Sequence, residues 1–314
     1  QVSQGAIMAG QAAGLSSQLS YSRDFENEAD RLGVQNLAAA GFDVRGMVGF
    51  FERLQKNSRL YENNAPAYMR THPLTGDRIT EMENRIAQMP YRQVPDSLDF
   101  QLVRAKLKVG RQASREVLEE FERAARVSNP SFAAQYGLVR AYLSVRRLAD
   151  AERAMVEVRK RHEVSAMIAG LEGDLRLAQG DPAGAAKVFR EGKARFPQSR
   201  RLLYGELEAL IDSGRPDEAL TAVKAEVLTT PDNATLWELR ARAEAALGMR
   251  LAQHRSLAEV YTIRGSYAAA VEQLTLAQSA GDGDFFEQSA VDSRLREVRA
   301  LLAEQMREMK NNPR

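Results

Sequence analysis

Gly180-Asp181-Pro182-Ala183-Gly184-Ala185 and, further on, Gly214-Arg215-Pro216-Asp217-Glu218-Ala219 decide the fold of this chain. Each stretch reads as a helix-ending glycine, a helix restarted at proline, and a small alanine about one turn in. The same phase returns as Arg146-Arg147-Leu148-Ala149-Asp150-Ala151 and as Gly265-Ser266-Tyr267-Ala268-Ala269-Ala270. The closing alanines, Ala151, Ala185, Ala219 and Ala270, are 34, 34 and 51 apart, and 51 is one and a half periods. Larger residues keep the register. Met155, Phe189, Val223 and Leu274 stand four positions after the alanine, and Tyr142, Leu210 and Tyr261 nine before it. Pro197 and Pro231 close two of the repeats at one phase.

A period of 34 is that of the tetratricopeptide repeat, a pair of antiparallel helices that buries its apolar faces only by stacking on its neighbours. The alanine lets the two helices approach, the glycine turns the backbone between them, and the larger residue fills the gap to the next pair. A weaker early copy covers about 98–130, with Val117 and Phe121 in phase. A half-repeat around Thr235 to Gly248, carrying Trp237, accounts for the extra half-period. Asp284 to Lys310 reads as a terminal helix covering the last exposed face. About four to five repeats are expected over residues 97–314. In this register Tyr142, Trp237 and Tyr261 are core positions, and Arg146-Arg147 and Arg159-Lys160-Arg161 are solvated helix faces.

Composition narrows the function classes. With 44 Lys and Arg against 42 Asp and Glu, a net charge of +2 in 314 residues is too balanced to indicate nucleic acid or an anionic membrane surface. No apolar run approaches the ~18 residues that cross a bilayer. The absence of cysteine removes disulfides, thiolate metal sites and cysteine nucleophiles. The chain opens Gln1-Val2-Ser3, which is read as the C-terminal part of a longer precursor. Gln1 to Ser20, rich in Ala, Gly, Ser and Gln, is assigned no chemistry.

Ahead of the repeats, residues 1–90 read differently. Tyr21 to Ala40 is expected to be helical, with Phe25, Ala29, Leu32 and Leu37 as its apolar side and Gly41 ending it. Asp43 caps a second helix whose inner side is Val44, Met47, Val48, Phe51 and Leu54. Asn63 to Pro73 has the composition of a loop. A third helix from about Gly76 to Gln88 carries Ile79, Met82 and Ile86. Pro90 and Pro95 bracket a linker, Met89 to Ser97. On the first helix Glu26 and Asp30 lie four apart, hence on one face. A zinc site that acts on peptides takes three protein ligands and keeps one position for water. A Glu followed one turn later by an Asp suits it: the first carboxylate coordinates, and the second orients a ligating imidazole.

Ser22-Arg23-x-x-Glu26-x-x-Ala29-Asp30-Arg31, with the later turn Arg70-Thr71-His72-Pro73, resembles the zinc metallopeptidase family of HtpX and the CAAX prenyl endopeptidases. Phe50-Phe51-x-Arg53-Leu54 and Asp77-Arg78-Ile79 fit the same pattern. Joined to tetratricopeptide repeats, the arrangement is most similar to the family's periplasmic, BepA-type branch. The resemblance implies an all-α fold here: a helical remnant of a zincin-type peptidase domain, then a repeat solenoid. It implies zinc as cofactor, Glu26 as third zinc ligand and Asp30 as its partner. It further implies His72 as an oxyanion stabiliser or as occupant of the open metal position. Its implied setting is the periplasm, its substrates misfolded or outer-membrane proteins, and its partners in the repeat groove outer-membrane assembly machinery.

The chain departs from that pattern in one decisive respect. Its three histidines are His72, His162 and His254, and no two are four apart, so the His-Glu-x-x-His helix is missing. His162-Glu163-Val164-Ser165-Ala166 begins like that motif and ends in alanine; His162 and His254 are read as surface or repeat-packing residues. These residues alone are therefore expected to be inactive, the missing helix lying upstream. The alternative is a non-catalytic repeat scaffold in which the peptidase remnant has lost its metal. The two roles open to His72 separate on substitution: in the complete protein His72→Ala raises peptide hydrolysis if the imidazole plugs the site, and lowers it if the imidazole stabilises the oxyanion.

Overall fold

The computed structural model describes residues 24–58, 76–92, 94–161 and 164–311. The chain is all-α. It divides into two compact units, Gln1–Asp96 and Ser97–Arg314.

In the first unit the described helices are α1 (24–39), α2 (Arg45–Ser58) and α3 (Gly76–Ala87). Gly41, at φ +83°, ends α1, and the Phe42 N–H closes back on the Leu37 carbonyl at 2.9 Å, as in a left-handed helix terminus. The Asp43 carboxylate then accepts the Arg45 N–H at 3.1 Å and starts α2. Val34, Val44, Phe51, Ile79, Met82 and Ile86 form the core. The inner sides of α2 and α3 are the ones their hydrophobic period indicates. For α1 the outcome differs. Phe25 and Leu32 are exposed, and the inward face carries Asp30, Val34 and Leu37 together with Glu26. A helix that buries paired charge misleads a reading by hydropathy. The loop 63–73, with His72, lies outside the described residues, as does the segment 1–20.

The second unit consists of α4 (Leu98–Val109), α5 (Arg115–Ala125), α6 (Phe132–Ser144), α7 (Leu148–Lys160), α8 (Ala166–Ala178) and α9 (Pro182–Arg195). It continues through α10 (Arg200–Asp212), α11 (Pro216–Thr229), α12 (Ala234–Ala246), α13 (Arg250–Ile263), α14 (Tyr267–Gln278) and α15 (Phe285–Asn311). Helix starts are written locally. The hydroxyls of Ser97, Ser114 and Ser131 accept from the first turns of α4, α5 and α6. Asp181 accepts the Gly184 N–H at 2.8 Å ahead of Pro182, the first residue of α9.

The repeat signature maps onto the core. Ala151, Ala185, Ala219 and Ala270 are buried, as are Met155, Phe189, Val223 and Leu274. Phe121 is buried and Val117 partly so, which makes α4–α5 the weak first pair. Tyr142, Trp237 and Tyr261, expected in the core, instead pack half-buried along its margin. The extra half-period is one helix and one turn: α12, α13 and α14 follow one another through short turns at Gly248 and Gly265. On α15, Val291, Leu295 and Val298 cover the end of the stack, and Arg294 forks onto Glu259 at 2.9 and 2.7 Å.

Two backbone positions turn this geometry into measurable energies. The Phe189 ring is gripped between α8 and α10. A Cβ on Gly173 would lie 2.3 Å from it and one on Gly205 2.6 Å. Alanine in a helix gains about 1 kcal/mol over glycine, but overpacking a closed core costs about 1–3 kcal/mol. Gly173→Ala should therefore lower the thermal midpoint. Gly170→Ala, whose Cβ meets only Arg201 Cγ at 3.6 Å, should leave it equal or higher. The other position is a turn. Arg146, Gly180, Gly214 and Gly248 recur at the repeat period with φ of +62°, +80°, +75° and +75°. Left-handed backbone costs a residue with a Cβ about 1–2 kcal/mol, so Arg146→Gly should raise the midpoint despite glycine's larger unfolded-state entropy.

Candidate functional site

The first unit brings one cation to both carboxylates singled out in the sequence. Ile79, Met82 and Ile86 fix the rotation of α3, and that rotation turns the preceding residue, Arg78, toward α1. Arg78 Nε donates to Asp30 Oδ2 and Nη2 donates to Asp30 Oδ1, both at 2.8 Å. The remaining arm, Nη1, lies 3.0 Å from Glu26 Oε2. The guanidinium carbon stands 5.6 Å from the centre of the Phe51 ring on α2. Arg78, Asp30 and Glu26 have side chains only 11%, 10% and 16% exposed, so these ion pairs are little screened by solvent. Removing one member of such a cluster strands the others and costs about 3–5 kcal/mol. The hydrogen bonds to Asp30, more than the attraction of the two carboxylates, hold the Arg78 guanidinium above its ordinary range. It is therefore charged throughout the working pH range.

Of the residues expected from the sequence, Glu26 and Asp30 thus share one buried face of α1. Arg70, Thr71 and His72 lie outside the described residues, as do His162 and Glu163. His254 is a packing residue: its Nδ1 lies 2.9 Å from Gln273 Oε1, joining α13 to α14. Glu26 fits a divalent cation as a single oxygen donor. Among the described residues no group of three His, Cys, Asp or Glu side chains is placed to hold a metal ion, so the donor set they supply is one carboxylate. Arg78 was quoted in the sequence pattern without a role. The signal that would have revealed it is electrostatic: two acids on the inward side of a helix require a cation.

The second unit carries a different feature. Arg140, Asp174, Glu208 and Arg242 recur at the repeat period, at equivalent positions of α6, α8, α10 and α12. They are linked into a ladder. Asp174 pairs with Arg140 at 3.6 Å and with Arg201; Glu208 pairs with Arg201 at 3.8 Å and with Arg242 at 4.0 Å. Arg242 continues to Asp212 at 3.1 Å. Beside it Thr235, Glu238, Leu239, Gln253 and Leu257 line a cavity of about 330 Å³. This face offers alternating charge flanking apolar surface. Among the described residues, no helix is long and apolar enough to cross a membrane.

Residues 2–86 match Peptidase family M48, and two tetratricopeptide-repeat models match residues 136–200 and 176–243. The chain therefore joins a Peptidase family M48 segment to tetratricopeptide repeats. It is similar to the beta-barrel assembly-enhancing protease of Escherichia coli (strain K12), 29% identical over 289 residues, or 90% of this chain and 58% of that protein. The putative beta-barrel assembly-enhancing protease of Vibrio cholerae is 26% identical over 295 residues, covering 92% of this chain and 60% of the relative. Metalloendopeptidase OMA1, mitochondrial, of Bos taurus is 36% identical over 69 residues, 22% of this chain and 13% of its own length. The chain spans about 58% of the length of the Escherichia coli relative.

Proposed function

We propose that this chain is the C-terminal portion of a zinc-dependent metalloendopeptidase that works in the periplasm on misfolded or outer-membrane proteins. The repeats dock protein partners, outer-membrane assembly machinery among them. The observation that carries this reading is that the likeness to the beta-barrel assembly-enhancing protease runs through both units of the chain, over 289 residues. The half-buried carboxylate at Glu26, on a helix within the segment that matches family M48, supports it.

On this reading Glu26 is the third ligand of a metal whose other ligands come from an upstream His-Glu-x-x-His helix. Zinc, when bound, polarises the peptide carbonyl and acidifies a water. Asp30 accepts the N–H of a ligating imidazole: each carboxylate oxygen retains a lone pair beyond the one given to Arg78. His72 acts on the oxyanion or at the open metal position. The residues of this chain alone are then inactive. The repeat face contributes recognition rather than chemistry. Stacked helix pairs offer an extended surface, and the alternating charges from Arg140 to Arg242 suit a polypeptide that carries both signs.

The test uses the protein expressed from its complete reading frame. Glu26→Gln should remove most bound zinc, read by elemental analysis, and abolish casein hydrolysis. Unchanged zinc content in that variant overturns the ligand assignment. If the unsubstituted protein holds no zinc and cleaves nothing, the non-catalytic repeat scaffold replaces the peptidase reading.

A further inference from the structure

We propose that Arg78 is the positioning residue for the metal-ligating carboxylate of Glu26, acting through Asp30 as its anchor. The inference rests on the reading of Glu26 as a zinc ligand. A glutamate has three rotatable side-chain bonds, and a ligand must be held to about half an ångström. Arg78 supplies that restraint from a neighbouring helix. Two of its N–H groups are fixed on Asp30 by a pair of parallel 2.8 Å bonds, which sets the guanidinium plane. The Phe51 ring, 5.6 Å from the guanidinium carbon, supports that plane from α2. The third arm then meets Glu26 Oε2 at 3.0 Å. Glu26 and Asp30 are like charges one helical turn apart and repel one another; the guanidinium between them makes their shared orientation favourable. A lysine carries the same charge as a single point without the planar fork, so it cannot set three contacts at once.

The experiment measures zinc affinity of the complete protein by competition with a chromogenic chelator, together with kcat and KM for a casein-derived peptide. Arg78→Lys should weaken zinc binding on the order of 10–100-fold and lower kcat with KM little changed. Asp30→Asn preserves shape and removes the anchor's charge. Because Asp30 also holds the ligating imidazole on that reading, this substitution should give a loss at least as large, and adding Arg78→Lys to it should cost little more, since the anchor of the guanidinium is already weakened. Zinc affinity unchanged in Arg78→Lys, with Glu26→Gln still losing the metal, overturns the positioning role and leaves the ligand assignment standing. Fully additive losses also overturn it. If Glu26→Gln itself retains zinc, the underlying reading fails instead. Should Arg78→Lys not fold, Arg78→Gln decides by the same readout: unchanged zinc affinity of its folded form refutes the proposal, and a loss on the order of 10–100-fold supports it.

Discussion

The repeat unit depends on how closely two helices can approach. At Ala151, Ala185, Ala219 and Ala270 the side chain is one methyl group, fully buried. The volume released there is taken up four positions later by Met155, Phe189, Val223 or Leu274. Where the larger residue is aromatic, the facing helices give way further still, to Gly173 and Gly205 around Phe189 and to Gly137 against Phe121. Protein interiors pack at the density of organic crystals, so small and large positions are determined jointly. That coupling makes the period visible in the sequence, and it keeps each helix pair in register with its neighbours.

The peptidase-like segment adds a polar cluster to its apolar core, and that difference explains what could be read from the residues. The inner sides of α2 and α3 follow ordinary hydrophobic periodicity. Helix α1 does not, since part of its inward face is Glu26 and Asp30 held by Arg78. Hydropathy therefore selects Phe25 and Leu32, which stand exposed. The acidic pair itself was legible as a motif, because i, i+4 spacing puts two side chains on one face whatever their environment. Its cation was not, since the contact links positions 48 apart in sequence and no local rule joins them. The turn at Arg146 was half legible: its phase followed from the neighbouring repeats, but its left-handed backbone is normally signalled by glycine.

The two units thus illustrate two ways of making a helical assembly specific. In the repeats, shape does most of the selecting, and the ion pairs along α6, α8, α10 and α12 decorate a surface already fixed by packing. These exposed or partly exposed pairs contribute little stability individually. On the proposed reading, their value lies in presenting a defined electrostatic pattern to a docked polypeptide. In the first unit the largely buried guanidinium is itself part of the packing, joining α3 to α1 beside an apolar core.

The additional helix in the stack has an effect on its length of usable surface. Up to α12, the leading member of every hairpin lies in one layer, and the charged row at Arg140, Asp174, Glu208 and Arg242 runs along it. After α12 the repeat signature slips by half a period, and its closing alanine returns at Ala270 on α14. The next equivalent site, one period beyond Arg242, is Leu276, an apolar residue on α14. The row of charges therefore ends there. A single inserted segment thus works as a ruler for the length of the charged row.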